Sequence, residues 1–285
     1  MRALIIGGTG FVGEYVSRVL AQAGLSVLAV HGSLLEEEPI AGVEYRQIDL
    51  DEDLLKFKAT ASECDTIIFS IQPDVFRMKK IISVLSSNDF INKIVYLSTL
   101  LVYPDSAIKS GEDQATDPLT EYERNKGQEE NLLAQFTKNN GCRFVVARLG
   151  NVYGDRKNRG VVNYLMRAVT SGNTFVINGN GQQIRDYIFV EDVARLLKFI
   201  ILLEQKDQKE IFNVCSGRGS SILNLIKLVE AIAGKKIKVK FGNPVKEKAS
   251  IIGDNTKLLK LSGLQSQYDL PGGVKKAYEN YLKCD

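Results

Sequence analysis

Histidine is nearly absent: His31 is the only one in 285 residues. Ser-His-Asp or Cys-His chemistry would have to run through that single residue, and a histidine-rich metal site is excluded. Cysteine is scarce as well. Cys64, Cys142, Cys215 and Cys284 follow no pairing or metal-ligand spacing, and two of them lie in strand-like apolar runs. They read as buried thiols of a reducing compartment, so no metal is expected. There is no dense block of Lys or Arg, and the formal net charge is only +3. Nucleic acid has little electrostatic footing on such a chain. The local cluster Lys235, Lys236, Lys238 and Lys240 reads as a solvated strand face. No window approaches a membrane span, and the N-terminal run reads as a core strand rather than a signal peptide, so the expectation is a cytoplasmic protein without a membrane partner. Internal repeats, low-complexity tracts and obvious linkers are missing too.

What is present is a glycine turn in a telling place. The apolar run Arg2–Ile6 leads directly into Gly7-Gly8-Thr9-Gly10-Phe11-Val12-Gly13. A helix-period stripe follows at Phe11, Val12, Tyr15, Val16, Val19, Leu20 and Ala23, stopped by Gly24. Strand, glycine loop and helix in that order make a pyrophosphate site. One glycine permits the turn, one lets backbone approach the phosphates, and one lets helix pack on strand. The helix N-terminus adds unpaired N–H groups and a favourable dipole. Gly8, Gly10 and Gly13 satisfy G-x-G-x-x-G, while Gly7, Gly10 and Gly13 satisfy G-x-x-G-x-x-G. The turn predicts a bound dinucleotide.

Short β-branched runs then alternate with helical stretches. Strands are predicted at 2–6, 26–30, 44–48, 65–70, 93–98 and 143–148, with helices at 11–23, 74–87 and 121–138. Such alternation argues for parallel strands joined by right-handed crossovers. After residue 150 the rhythm loosens, and helices are predicted near 160–171, 191–204, 220–233 and 272–282. The fold class is therefore α/β: a doubly wound parallel sheet of Rossmann type with a small C-terminal α/β substrate-binding cap and a cleft between them. Residues 1–150, with about 184–215, form the dinucleotide-binding domain; 151–183 and 216–285 form the cap.

The strand 93–98 ends in Ser98-Thr99, and Tyr122 and Lys126 follow four residues apart on one helical face. A free tyrosine titrates near ~10, so a base acting at neutrality needs a shift of about three units, roughly 4 kcal/mol. A lysine close by and a positive nicotinamide ring both favour phenolate. A strand-end hydroxyl can hold the substrate oxygen while the proton moves.

The order Gly-Gly-Thr-Gly-Phe-Val-Gly, Tyr-Leu-Ser-Thr, Tyr-x-x-x-Lys resembles the extended short-chain dehydrogenase/reductases, in particular the NAD-dependent epimerase/dehydratase family. Arg148-Leu149-Gly150-Asn151-Val152-Tyr153-Gly154 looks like the family's segment after the sixth strand. Gly179 to Ala194 looks like its sugar-nucleotide segment, and Phe212 to Gly217 like the strand that follows. Carried over, the resemblance implies Tyr122 as general acid/base, Lys126 as its pKa modulator and ribose ligand, and Thr99 as the substrate-orienting hydroxyl. It implies Asn151 and Arg185 as holders of a substrate diphosphate, for which the guanidinium fork is suited. Asn151 as a turn residue, and Arg185 as a surface ion pair with Asp186, are the competing accounts. Cofactor contacts are expected at Gly7, Gly10, Phe11, Val12, Gly13, His31, Ser33, Asp49, Leu50, Ser70 and Lys126. A homodimer through the helices near 74–87 and 121–138 is the family habit.

The chain also departs from that pattern. Leu100 and Leu101 stand where family dehydratases carry Asp-Glu, which argues against dehydration. His31 replaces the carboxylate that NAD users place after the second strand, tilting the expectation slightly to NADP over NAD. The region from Ser70 to Asn92 is short, and Pro244 falls about where a late arginine is usual. The expected reaction is hydride transfer at a secondary alcohol or ketone of a nucleotide-activated sugar, with a 4-ketoreductase favoured over a 4-epimerase. A reductase of a non-nucleotide ketone and a non-catalytic dinucleotide sensor or scaffold stay open.

Overall fold

Ala3, Leu4, Ile5 and Ile6 are all fully buried in strand β1 (Arg2–Ile6). A continuous apolar run of this kind is what a strand covered on both faces requires. The computed structural model describes residues 1–32, 38–85 and 90–283. Ser33 and Cys284, both named above, lie outside them. After β1 come α1 (Phe11–Gln22), β2 (Ser26–His31), β3 (Val43–Gln47), α2 (Leu54–Ala61), β4 (Thr66–Phe69), α3 (Val75–Leu85) and β5 (Lys93–Thr99). A 3-10 turn at Leu100–Val102 precedes α4 (Glu121–Asn139) and β6 (Arg143–Leu149). The later elements are β7 (Asn151–Tyr153), α5 (Val161–Ser171), β8 (Phe175–Asn178), β9 (Ile184–Phe189), α6 (Val190–Leu202), β10 (Lys209–Val214), β11 (Gly219–Ser221), α7 (Ile222–Ala233), β12 (Val239–Gly242), β13 (Ser250–Ile251), α8 (Thr256–Ser262) and α9 (Leu270–Leu282).

The chain divides into two compact units. The first comprises Met1–Thr99, Glu121–Arg148 and Ala194–Phe212; the second comprises Leu100–Thr120, Leu149–Val193 and Asn213–Asp285. Leu100–Thr120 and residues 184–193 and 213–215, which the sequence boundaries gave to the first domain, cluster with the second unit. There Leu100 and Tyr103 pack with Cys215 and Ile251.

In the first unit a seven-stranded parallel sheet runs in the order β10-β6-β5-β4-β1-β2-β3. The chain leaves β1 for β2 and β3 on one side, then returns to β4 on the other. In open α/β sheets ligands bind beyond the strand C-termini at such a reversal, here between β1 and β4. Leu4, Leu28, Ile67, Ile94 and Phe144 from the strands pack with Phe57, Met78, Ile81 and Leu133 from α2, α3 and α4.

The second unit holds a four-stranded sheet of β7, β9, β11 and β13, and the parallel pair β8–β12. Its core joins Leu165 and Val169 of α5, Phe189 of β9, Leu225 and Val229 of α7, and Val274 of α9. The six predicted strands and seven predicted helices are all present. The strands of two to four residues after residue 150, and helices α2 and α8, escaped the sequence pattern because so few residues carry no readable period. The six-residue β9 was also missed, and β10 was foreseen only through the resemblance at Phe212 to Gly217.

Candidate active site

The glycines of the first turn are there because side chains would collide. A Cβ on Gly13 would stand 2.1 Å from the Gly7 carbonyl oxygen, and one on Gly8 would stand 2.6 Å from the Ala29 Cβ. Gly7 adopts φ +80°, and a Cβ there would meet the Ser70 carbonyl oxygen at 2.4 Å. Gly7 N and Gly8 N donate to the Val30 carbonyl at 3.0 and 3.3 Å, and Gly10 N to that of Gly7 at 3.0 Å. The turn is thus bonded to β2 and folded on itself before α1 begins. Phe11, Val12 and Gly13 open that helix, where amides have no carbonyl four residues back within it. A narrow cradle of backbone ending in a helix N-terminus fits a dinucleotide pyrophosphate.

The other expected cofactor residues sit at the ends of neighbouring strands. His31 closes β2 with its side chain buried, edge-on to the Tyr45 ring at 6.3 Å between centroids. Asp49 is exposed after β3, and its carboxylate caps the Asp51 amide at 2.8 Å. Leu50 packs half-buried on the core. Ser70 follows β4 and donates its amide to the Ile6 carbonyl at 2.9 Å.

Thr99 is the last residue of β5 and is buried. Tyr122 and Lys126 lie on α4, and the lysine is buried with its Nζ donating to the Leu97 carbonyl at 2.7 Å and the Ile71 carbonyl at 3.3 Å. The ammonium also stands over the Tyr96 ring, 4.7 Å from its centroid. Burial pulls Lys126 down to about 8, against the opposing pull of Glu129 and Glu130. Tyr122 is 39% exposed, yet it is pushed the other way, up to about 12, by partial desolvation and then by the charges of Glu129 and Glu123. The expectation that the neighbouring lysine lowers the phenol therefore differs from what the protein's own groups do. They hold Tyr122 protonated.

A buried polar stripe supports this helix, and the sequence reading missed it. Glu123, Lys126, Glu129, Glu130 and Thr137 of α4 are all buried, although the helix is strongly polar. The Tyr96 hydroxyl donates to Glu129 at 2.5 Å, and the Asp74 amide donates to the same carboxylate at 2.6 Å. Arg148 grips Glu130 through Nη2 at 2.7 Å and Nε at 3.2 Å, and the Ser98 hydroxyl donates to Glu130 too. The usable signal was acidic residues three and four places after Lys126, on its own helical face.

In the second unit, Asn151 begins β7 opposite Tyr187 of β9. Arg185 lies on β9 and is buried. Its partner is not the adjacent Asp186, because neighbouring strand residues point to opposite faces. Arg185 Nη2 pairs instead with Glu247 at 2.8 Å, and Nη1 donates to the Ile184 carbonyl at 2.8 Å. Asp186 turns to the Ser216 hydroxyl and amide and the Gly217 amide at 2.7, 2.8 and 2.9 Å.

Comparison with known proteins follows the same lines. A sequence model of the "NAD dependent epimerase/dehydratase family" matches residues 3–215. A UDP-glucose 4-epimerase of Lactobacillus helveticus is 24% identical over 311 residues, covering 94% of this chain and 93% of its own. A dTDP-4-dehydro-6-deoxy-D-allose reductase of Streptomyces bikiniensis is 27% identical over 284 residues, covering 85% of each. The solved structure of a Thermus thermophilus UDP-glucose 4-epimerase complex with NAD shares the fold, with a TM-score of 0.89 at 22% identity over the whole of both chains.

Proposed function

Because the chain belongs to the NAD-dependent epimerase/dehydratase family, we propose that it reduces the 4-keto group of a nucleotide-activated sugar. The bond from Lys126 Nζ to the Leu97 carbonyl carries this reading, because it fixes the Tyr-Lys helix two residues from Thr99. When bound, the nicotinamide cofactor supplies the hydride. Gly7, Gly10, Phe11, Val12 and Gly13 hold its pyrophosphate, and Lys126 binds its ribose.

Tyr122 donates the proton that the substrate oxygen takes up. A phenol held protonated up to about 12 starts in the form this step needs. The Lys126 ammonium then stabilises the phenolate left behind. Thr99 hydrogen-bonds the substrate oxygen; Ser98 is committed to Glu130. Leu100 and Leu101 offer no carboxylate, which disfavours dehydration. In the second unit Asn151 and Arg185 bind the substrate diphosphate. The end of β2, with a buried imidazole in place of a carboxylate, leaves a 2′-phosphate unopposed, so NADP is accepted alongside NAD. A homodimer through α3 and α4 and a cytoplasmic location complete the proposal.

The test is turnover of a dTDP-4-keto-6-deoxyhexose with NADPH or NADH. The expected result is loss of reduced-nicotinamide absorbance, one equivalent per product, abolished in Tyr122→Phe. Interconversion of UDP-glucose and UDP-galactose without net cofactor consumption would assign a 4-epimerase instead.

A further inference from the structure

Three residues after Lys126, and on the same helical face, Glu129 is fully buried and joins two other elements. One carboxylate oxygen accepts the Tyr96 hydroxyl of β5 at 2.5 Å; the other accepts the Asp74 amide, just before α3, at 2.6 Å. Both bonds run into the carboxylate, as suits its ionised, acceptor-only form. The ring whose hydroxyl it holds is the one beneath the Lys126 ammonium, 4.7 Å from the centroid. A phenol donating to a carboxylate has a more electron-rich face, which strengthens its attraction for a cation.

We propose that Glu129 is a positioning residue whose charge, together with the Tyr96 ring it orients, keeps Lys126 protonated on the carbonyls of Leu97 and Ile71. The titratable groups around that ammonium are Tyr96 from β5, Tyr122, Glu123, Glu129 and Glu130 from α4, and Asp74 ahead of α3. Glu130 is the other carboxylate that acts directly on the ammonium, but Arg148 pairs with it on both oxygens and neutralises much of its field. Glu129 has no cationic partner other than Lys126 among the interactions that set its own titration. Burial works against the ammonium, and the carboxylates are the protein's means of opposing it.

The consequence for catalysis rests on Lys126 serving Tyr122, but the test does not. Lysine 13Cε NMR of the protein without cofactor, with the Lys126 signal assigned from Lys126→Arg, reads the ammonium directly. Glu129→Gln removes the charge; its one oxygen keeps the Asp74 amide bond, and the Tyr96 hydroxyl turns to accept from the new amide N–H. It should lower the Lys126 midpoint by about one unit, a tenfold change in the protonation equilibrium. Glu129→Asp keeps the charge and should titrate close to wild type. An unchanged midpoint in Gln, or a fall in Asp as large as in Gln, overturns the proposal. A second measurement needs no variant: the wild-type Lys126 signal should shift again in acid as Glu129 takes up its proton, and its failure to do so overturns the proposal as well. Loss of the Tyr122 reading would appear separately, as activity surviving Tyr122→Phe.

Discussion

Lys126 Nζ donates to the Leu97 carbonyl oxygen across 2.7 Å, which ties helix α4 to strand β5 two residues before Thr99. The lysine that would serve the reacting tyrosine is therefore also a strut of the first unit. Its charge state and its position cannot be varied independently.

That coupling sets a pH dependence. Burial brings Lys126 down to about 8, so the ammonium is present below that pH and lost as pH rises through it. A neutral lysine no longer steadies the Tyr122 phenolate, so ketone reduction should fall with rising pH from about 8, approaching tenfold per unit. Arginine stays charged throughout, so Lys126→Arg should show a lower rate without that limb. A wild-type profile flat across the range would remove Lys126 from the step.

The glycine turn makes a prediction in which two neighbours behave differently. Gly13→Ala places a Cβ 2.1 Å from the Gly7 carbonyl oxygen, whereas Gly10→Ala approaches the same oxygen only to 3.2 Å. The first should cost ~1–3 kcal/mol of stability and abolish stabilisation by dinucleotide; the second should leave the fold nearly unchanged. Thermal unfolding with and without NAD or NADP compares them. Equal behaviour of the two variants would mean that the turn does not hold the helix against the strand.

Much of the first unit was legible in the sequence because its strands β1, β2, β4, β5 and β6 are buried almost throughout and so read as largely apolar runs. The glycine turn and the Tyr122–Lys126 spacing were legible because each is local. The polar interior was not. Glu129 meets Tyr96 and Asp74 from 33 and 55 residues away. Lys248, charged and in a lysine-rich stretch, is buried with its Nζ on the Tyr103 carbonyl at 2.6 Å, 145 residues distant. Lys93 likewise donates to the Ile201 and Leu203 carbonyls at the end of α6, at 3.0 and 2.6 Å. A charged residue looks solvated in sequence until the fold supplies its partner. The same limit applied to Arg185, whose partner is 62 residues away rather than adjacent.

Cofactor choice can be probed at the end of β2. His31 is buried there against Tyr45, 6.3 Å between ring centroids. His31→Asp supplies a carboxylate that accepts bonds from ribose hydroxyls and repels a 2′-phosphate. The ratio of NADP to NAD affinity should drop about tenfold, equivalent to ~1.4 kcal/mol. Titration of intrinsic fluorescence or calorimetry gives both constants. An unchanged ratio would place cofactor discrimination away from this strand end.

The proposed substrate handle can be tested at Arg185 and Glu247. Their bond of 2.8 Å joins a side chain only 9% exposed to one 33% exposed, so the carboxylate is the partner that solvent can draw away. A diphosphate bound by Arg185 competes with Glu247 for the Nη2 edge of the guanidinium, since one N–H of Nη1 is already given to the Ile184 carbonyl. Glu247→Gln removes both the competing partner and its repulsion of the incoming anion. It should tighten binding of UDP or dTDP several-fold. Arg185→Ala removes charge-assisted bonds worth ~1.5–3 kcal/mol and should weaken binding about 10- to 100-fold. Calorimetric titration of UDP and dTDP into the wild type and the two variants measures this. If Arg185→Ala binds both nucleotides as the wild type does, Arg185 does not hold the diphosphate. A reductase of a ketone without a nucleotide then becomes the better reading.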